Sequence, residues 1–316
     1  AQDNTNVTLT ITEFKRAYAQ IFSGSIGGIG NALILKLLAG AVHDVAQNDV
    51  LVSEIQLLEY DDVIVPVIES VSVNYSTGVV SVFMSESIKN NSDIYIDLSK
   101  LFLEGALNEG IVTLASSDTR KFNAYTVTTQ SATIDVSISK QIDIHLTELQ
   151  RVTALYNSSM ATNGDGSPVL FRAQSGSILD IGLNPVGFTS NIVISEYPDV
   201  VQAAIFDAEV DYNNGTLIIY STEYLDNTPS TNLNLTKIIM VDGNTGIDGL
   251  MKKLDLVGAD VVAANDLALT VVMTEAQRIR CIKASGTTGG DNEGIMMSVY
   301  AGAINDLSAN PVTSAT

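Results

Sequence analysis

Residues that carry chemistry are scarce in this sequence of 316 residues: it has one cysteine, no tryptophan and two histidines, His43 and His145. The single cysteine, Cys281, excludes a disulfide framework within the chain, and the alternation in RIRCIKA predicts a strand with a buried free thiol. Neither histidine has a second histidine or a cysteine pair at metal-ligand spacing. Gly-x-Ser-x-Gly, Walker and Cys-x-x-Cys motifs are also absent. The sequence therefore predicts a protein that is not an enzyme and needs no cofactor.

Basic residues are few as well. The chain has 16 lysines and arginines against 36 aspartates and glutamates, which gives a net charge of −20. The densest basic group is Arg278, Arg280 and Lys283. Sequence-independent binding to nucleic acid needs a concentrated positive surface that displaces counterions. Because no such concentration is present in the sequence, we expect no direct nucleic-acid binding.

A glycine-rich stretch, SGSIGGIGNALILKLLAGA at residues 23–41, has the appearance of a nucleotide-binding turn. The spacing of Gly24, Gly28 and Gly30 is similar to the first turn of short-chain dehydrogenases. Such a turn follows a buried strand, whereas the preceding EFKRAYAQIF has apolar residues three and four apart, which predicts a helix. The dehydrogenase resemblance also requires a tyrosine four residues before a lysine, and the chain has none. We therefore expect no nucleotide binding here.

The same stretch is interpreted as a glycine hinge that leads into an apolar helix at about residues 31–46. Apolar residues at helical spacing form a face that must be buried by something. The predicted place of this face is the inner, genome-facing or membrane-facing side of the protein. The residues assigned to that face are Ile21, Phe22, Leu33, Ile34, Leu37 and Leu38.

Beyond residue 50 the pattern changes to period two with many β-branched residues, so strands are predicted nearly to the end of the chain. Helices are predicted at about residues 12–22, in LSKLFLEGALNEG with a stop at Gly110, and from near His145 through LTELQRVTALYNSS. One or two short helices are predicted in GIDGLMKKLDLVGADVVAANDLA. Asn214-Gly215 predicts a hairpin with a type I′ turn, in which both central residues have positive φ.

The segment Met160–Val169, MATNGDGSPV, concentrates turn-forming residues between two β-rich halves and predicts a domain boundary. We predict an N-terminal helical arm over residues 1–48, a first β-sandwich over 49–161 and a second over 162–316. The fold class is mainly β, with two tandem antiparallel, jelly-roll-like β-sandwich domains and an N-terminal helical segment.

Two glycine-rich turns, NGDG at residues 163–166 and DGNTGIDG at residues 242–249, place oxygen atoms at alternate positions, which a hard cation such as calcium accepts. Neither turn completes an EF-hand loop, because the distal glutamate is absent. The other interpretation is a pair of turns stabilised by Asx hydrogen bonds. The candidate calcium ligands are Asn163, Asp165, Asp242, Asn244 and Asp248.

The C-terminal segment MTEAQRIRCIKASGTTGGDNEGIMMSVYAGAI is similar to the closing strand pair of β-sandwich domains in bacteriophage structural proteins. Two tandem sandwiches would resemble the double jelly-roll capsid proteins of icosahedral viruses. The resemblance implies a major capsid subunit in a virion that assembles with itself as a trimer. Its other implied partners are further virion proteins and an internal membrane.

Three alternatives remain open at this point. The α+β capsid fold of tailed phages would use Tyr60–Met84 as an extended hairpin and Gln141–Met160 as a long helix. A secreted or surface-layer β-sandwich adhesin or fibre protein would give the Asn-x-Ser/Thr triplets and the candidate calcium turns a purpose. An enzyme with an unrecognised site is the third alternative.

Overall fold

The structure is a computed structural model that describes residues 6–89, 95–107, 110–115, 119–121, 125–128, 133–136, 138–160, 164–242 and 253–315. The chain divides into two compact units. The first unit consists of Ala1–Val73, Gly78–Gln150 and Pro168–Glu196. The second unit consists of Asn74–Thr77, Arg151–Ser167 and Tyr197–Thr316.

The described residues are mainly in antiparallel strands, with three α-helices. The helices are α1 (Glu13–Phe22), α2 (Glu148–Tyr156) and α3 (Glu275–Lys283). The strands of the first half are β1 (Ile34–Leu37), β2 (Ser53–Gln56), β3 (Ile68–Asn74), β4 (Val79–Lys89), β5 (Leu101–Gly105), β6 (Ile111–Thr113), β7 (Thr119–Lys121), β8 (Tyr125–Thr128), β9 (Thr133–Val136) and β10 (Ile138–His145). Those of the second half are β11 (Val169–Ala173), β12 (Thr189–Val193), β13 (Ser195–Tyr197), β14 (Ile205–Asp211), β15 (Thr216–Leu225), β16 (Ile238–Asp242), β17 (Leu254–Asp255), β18 (Asp260–Val261), β19 (Asp266–Val272) and β20 (Ile295–Val299).

The first unit is a β-sandwich with one five-stranded and one four-stranded sheet. The strand orders are β13-β3-β4-β10-β7 and β12-β11-β5-β6. Alternate residues of the strands are buried, as expected when one face of each sheet lies against a core. In β4 these are Val80, Val82 and Met84, and in β5 they are Leu101 and Leu103.

The second unit is a β-sandwich of the same kind. Its sheets have the orders β14-β15-β19-β18 and β17-β16-β20. One hydrophobic core joins Leu217 and Val271 from the first of these sheets to Met240 and Val299 from the second. Cys281 of α3 also belongs to this core and is fully buried. The predicted fold class, a mainly β protein with antiparallel sandwich domains and an N-terminal helix, is confirmed.

The division into units does not follow the order of the chain. Pro168–Glu196 belongs to the first unit because β11 pairs with β5 along its whole length, from Val169 opposite Gly105 to Ala173 opposite Leu101. The predicted limits of an N-terminal arm and two domains stay predictions, and residues 161–163 around the second limit lie outside the described residues. The tailed-phage alternative does not form, because β10 occupies the start of the proposed long helix and α2 has nine residues.

The predicted helices at residues 12–22 and after His145 are confirmed as α1 and α2. The helix predicted over residues 31–46 is wrong. Residues Ile34–Leu37 form β1, which pairs antiparallel with β2. Gly30 and Gly40 flank this strand with φ values of 88° and 73°. These two left-handed residues leave a segment too short for a stable helix, although its apolar spacing fits one.

Two further predictions of secondary structure are wrong. The predicted helix in LSKLFLEGALNEG is one 3-10 turn, Leu98–Lys100, followed by β5, because Leu101 and Leu103 are buried at strand spacing. The predicted strand in RIRCIKA is α3, which begins with a capping box between Thr274 and Gln277. The buried free thiol of Cys281 is confirmed, with its Sγ 3.5 Å from Met240 Sδ.

The hairpin predicted at Asn214-Gly215 is confirmed as β14 and β15, but its turn is not type I′. Gly215 has a φ of 77°, and its N–H donates to Asp211 O at 2.8 Å. The loop therefore has four residues, and one of them has positive φ. Within the segment predicted to form short helices, residues 246–252 lie outside the described residues. For the described part the prediction is wrong, because that part contains β17 and β18 and no helix.

Candidate functional site

A buried group of carboxylates surrounds Arg16 in the first unit, and we name it the Arg16 cluster. The guanidinium of Arg16 donates from Nη1 to Asp62 Oδ2 at 2.5 Å and from Nη2 to Glu86 Oε2 at 2.9 Å. It also makes two hydrogen bonds with Glu13, at 2.6 and 2.9 Å. Asp180 completes the cluster, and one carboxylate oxygen each from Asp62, Glu86 and Asp180 lie within 4.8 Å of one another.

The members of this cluster come from α1, β4 and two loops of the first unit. Helix α1 places Glu13 and Arg16 one turn apart on the same face, and Glu13 also accepts from the backbone N–H of Ser87 at 2.9 Å. Glu86 lies near the end of β4, where the next two residues, Ser87 and Ile88, are also buried. Asp180 follows β11 in a short loop, where its carboxylate accepts from the backbone N–H and side chain of Asn184 at 2.8 and 3.0 Å.

The cluster holds more negative than positive charge, and the pKa directions reflect this. Burial raises the pKa of Glu86 and of Asp180 above their usual ranges. Burial also acts to raise the pKa of Glu13, but its hydrogen bonds with Arg16 and Ser87 outweigh that effect, so the pKa of Glu13 is lowered. The hydrogen bond with Glu13 raises the pKa of Arg16, which keeps its positive charge at all working pH values.

The second unit contains an equivalent group, which we name the Arg151 cluster. Arg151 Nη1 donates to Asp199 Oδ2 at 2.7 Å, and Nη2 donates to Glu223 Oε2 at 3.1 Å. One carboxylate oxygen each from Asp199, Glu223 and Asp306 lie within 4.8 Å of one another. The Asp306 carboxylate accepts from the backbone N–H of Asn310 at 2.9 Å and from its side chain at 3.0 Å. Burial raises the pKa of Asp306.

The two clusters coincide with an internal repeat of the sequence. The pentapeptide TEFKR at residues 12–16 recurs as TELQR at 147–151 and TEAQR at 274–278. These three segments begin the three copies of the repeat, and from their glutamate onward they form the first turn of α1, α2 and α3. EYDDV at residues 59–63 recurs as EYPDV at 196–200, so Asp62 and Asp199 are equivalent. VNYSTG at 73–78 recurs as VDYNNG at 210–215, which makes Glu86 and Glu223 equivalent by the same spacing.

A fourth motif, Asp-x-x-x-Asn, occurs once in each copy, as DVAQN at residues 44–48, DIGLN at 180–184 and DLSAN at 306–310. In all three, the asparagine donates to the aspartate from both its backbone N–H and its side chain. The residue before the asparagine has positive φ in all three copies: Gln47 at 67°, Leu183 at 64° and Ala309 at 67°. The three loops therefore share their backbone conformation as well as their sequence motif.

Each cluster combines residues from two successive copies. Arg16, Asp62 and Glu86 belong to the first copy, whereas Asp180 belongs to the second. In the same way, Asp306 of the third copy completes the Arg151 cluster of the second. Strand pairing also joins successive copies, because β11 of the second copy pairs with β5 of the first, and β20 of the third copy pairs with β16 of the second. A sandwich of this repeat is thus completed by the copy that follows it in the chain.

The arginine of each cluster determines whether a metal ion has room to bind to the carboxylates. Carboxylate oxygens at such spacing would suit a hard cation, but a guanidinium already lies within hydrogen-bond distance of two of the carboxylates in each cluster. A metal ion would have to displace that guanidinium or share its ligands. The arrangement therefore serves as a charged link between elements of one sandwich rather than as an open ligand site.

The residues predicted from the sequence lie elsewhere. Among the candidate calcium ligands, Asn163, Asn244 and Asp248 lie outside the described residues. Asp165 accepts from the Ser167 N–H at 2.7 Å in a turn, which is the Asx hydrogen bond predicted as the alternative to calcium binding. Asp242 is the last residue of β16. Calcium binding at these residues stays a prediction.

The predicted inner-facing residues do not share one face. Ile21 is buried in a small core with Ala17, Ile138 and Ile181, and Phe22 packs against that core. Leu33 and Leu37 are half-buried, whereas Ile34 and Leu38 are exposed. Their predicted genome-facing or membrane-facing role stays a prediction. None of the helices among the described residues has the length and apolar character needed to cross a membrane.

An apolar groove of about 410 Å³ opens in the second unit. Its wall is formed mainly by one edge strand, β14, together with Met240 of β16 and Met297 of β20. Asp207 is the charged residue in its lining, so the groove offers an apolar surface rather than a pair of groups for acid–base chemistry.

Comparison with known proteins gives little more. No protein-family model matches the chain, and no curated protein matches it. Among solved structures, the chain is similar to the crystal structure of the chicken CNTN1 FN1–FN3 domains, with 10% sequence identity and a TM-score of 0.17. The match covers 83% of this chain and 66% of that one, so the chain spans just under two thirds of its length.

Proposed function

We propose that this chain is a structural protein of a surface layer or fibre, in which copies of one β-sandwich repeat follow one another. The observation that carries the proposal is the completion of each sandwich by the next copy. Successive copies are linked by a shared sheet as well as by the polypeptide. A chain built in this way gains length with every copy, as in other repeat proteins.

The two arginine clusters support the same proposal. In each cluster an aspartate of the following copy lies beside two carboxylates of the preceding one. The following copy also donates a hydrogen bond to the preceding one at each cluster, from Asn184 Nδ2 to Asp62 O at 3.1 Å and from Asn310 Nδ2 to Asp199 O at 3.3 Å, and separation of the copies would break it. Resistance to separation is a useful property in a load-bearing or surface-exposed protein. Acidic composition adds solubility and mutual repulsion between chains.

A virion coat subunit is the second candidate, and a different observation favours it. Large apolar side chains are exposed along residues 51–67, where a monomeric surface is normally more polar. Such a surface suits symmetric packing of many subunits into a shell. The exposed residues in this range include Leu51, Val52, Leu58, Tyr60, Val63 and Ile64.

Negative-stain electron microscopy of the purified protein tests both candidates, combined with its mass in solution. We expect slender particles or fibres, and no closed shells. Closed shells or stable trimeric rings would instead support the coat subunit and overturn the fibre proposal. A compact monomer with a measurable turnover of a small molecule would overturn both.

A further inference from the structure

Equivalent strands in the three copies of the repeat differ in their surroundings. β11 and β20 each pair on one edge with a strand of the preceding copy, β5 and β16 respectively. The equivalent strand of the first copy is β1, which pairs with β2. Among the described residues its other edge has no strand beside it. The buried Phe171 of β11 corresponds to Leu35 of β1, whose exposed fraction is 39% against 0% for Phe171.

The arginines of the three helices also differ between the first copy and the later copies. Arg151 Nη1 donates to the backbone carbonyl of Tyr75 at 3.2 Å, and Arg278 Nη1 donates to that of Tyr212 at 2.7 Å. Tyr75 and Tyr212 occupy equivalent positions in the hairpin turn of the preceding copy. The side-chain hydrogen bonds of Arg16 in the described part of the chain all go to other side chains, and a third of the Arg16 side chain is exposed.

The Asp-x-x-x-Asn loop is the third difference. Asp180 and Asp306 are each 1% exposed and complete the cluster of the preceding copy. The loop at Asp44 has the same hydrogen bonds with Asn48, but Asp44 is exposed. The later copies thus have a paired strand edge, an arginine bonded to a backbone carbonyl of the preceding copy, and a buried aspartate. In the first copy, the described part of the chain has no strand at that edge and no backbone carbonyl bonded to the Arg16 side chain, and Asp44 is exposed.

We propose that β1, the Asp44–Asn48 loop and the exposed side of α1 form a docking surface for one more β-sandwich module of this same repeat. A module is one copy up to the next helix, as residues 12–146 are for the first copy. The docked module precedes α1 in the order of the repeat, as residues 12–146 precede α2. β1 pairs with the strand of that module that corresponds to β5. Asp44 enters its arginine cluster, and its hairpin turn supplies a backbone carbonyl to Arg16. The inference depends on the repeat and not on the surface, fibre or virion setting proposed above.

A second copy of the chain does not fit this surface as well. The receiving edges in the chain are those of β5 and β16, and both are already covered by β11 and β20 of the same chain. A module with its receiving edge free is therefore the occupant that reproduces the geometry of the later copies. The apolar residues it would cover on the β1–β2 ribbon include Ile34, Leu35, Leu38 and Ile55.

The test is a fusion in which residues 12–146 are added directly ahead of Thr12 of the chain. A Lys36→Arg change in the added module gives its β1 peptide a different mass. Hydrogen exchange by mass spectrometry then reports on the two β1 strands separately. We expect the β1 amides of the original chain to exchange more than about tenfold more slowly than in the unfused chain. The β1 of the added module serves as the internal control and is expected to exchange as fast as before.

A matched variant checks that the protection comes from docking. Leu35→Asp in the original strand is expected to abolish the protection, whereas Leu35→Asp in the added module is expected to leave the exchange pattern unchanged. Equal exchange of the two β1 strands in the fusion would overturn the proposal. So would protection of β1 in the unfused chain at high concentration together with a dimer in analytical ultracentrifugation, because a second copy would then cover the surface.

Discussion

β1 and β11 hold the same place in the repeat, yet one is exposed and the other is part of a core. Both are preceded by a residue of positive φ, Gly30 or Gly166, and both lead into an Asp-x-x-x-Asn loop with the same hydrogen bonds. Their surroundings differ because β11 has the preceding module beside it. Whether this strand is buried therefore depends on the presence of the preceding copy of the repeat and not on the sequence of the strand.

The largest expected difference between the two strands is in the stability lost when a side chain is shortened to alanine. Phe171→Ala is expected to lower the free energy of unfolding by about 4 kcal/mol, because it removes a fully buried aromatic ring and leaves a cavity. Leu35→Ala at the equivalent position is expected to change it by less than about 0.5 kcal/mol, since the side chain is exposed. Urea denaturation followed by circular dichroism measures both. Equal losses in the two variants would mean that β1 is covered in solution.

The second effect concerns the arginines. Arg151→Met is expected to destabilise by about 3 kcal/mol, because it leaves Asp199 and Glu223 buried without their cation. Arg16→Met is expected to cost less, because 33% of the Arg16 side chain is exposed against 8% for Arg151, and water can solvate its carboxylate partners. Calorimetry of the two variants gives the comparison. A larger loss for Arg16→Met would contradict the view that water reaches its cluster more easily than the Arg151 cluster.

Much of this fold could be predicted from local patterns. α1 was predicted from apolar residues at helical spacing, and the β14–β15 hairpin from Asn214-Gly215. β1 was mistaken for a helix because its apolar spacing suits both structures, and the deciding factor was the pair of left-handed glycines around it. α3 was mistaken for a strand because the alternation in RIRCIKA outweighed the capping signal from Thr274 and Gln277.

The arginine clusters were not predicted, because their members are far apart in the chain and come from a helix, a strand and loops that only the folded sandwich brings together. A usable signal was present in the recurrence of TEFKR, EYDDV and DVAQN. Comparing the chain with itself reveals these repeats and marks the same residue types in each copy. The contribution of one copy to the sandwich of another could not be predicted in this way, because strand pairing between copies depends on packing and not on the motif.

A third, smaller effect follows from the charge in the Arg151 cluster. Arg151→Met leaves three carboxylates whose oxygens lie within 4.8 Å of one another, which is a ligand set for calcium once the guanidinium is gone. Calcium at a hundredfold excess over its Kd is expected to restore about 2.7 kcal/mol to this variant. The parent protein is expected to show no such shift in Tm. A parent protein that calcium stabilises equally would show that the arginine does not occupy the place of the cation.

The smallest effect separates the two aspartates that hold equivalent places in the repeat. Hydrogen bonds with the Asn48 side chain and backbone lower the pKa of Asp44 below its usual value of 3.8. Burial raises the pKa of Asp180 above the same value, although Asn184 donates the same pair of hydrogen bonds. Carbon-detected NMR titration of the side-chain carboxyls is expected to place the two aspartates on opposite sides of 3.8.

The opposite directions of these pKa values also predict opposite dependences of stability on pH. Asp44 contributes stability that is present above 3.8 and is lost as the pH falls through its lowered pKa. Asp180 contributes stability that is fully present below 3.8 and is lost as the pH rises through its raised pKa. The advantage of the parent over Asp44→Asn should therefore shrink as the pH falls, whereas its advantage over Asp180→Asn should grow. The same sign for both variants would mean that the two loops have the same environment in solution, as they would if a neighbouring module covered Asp44.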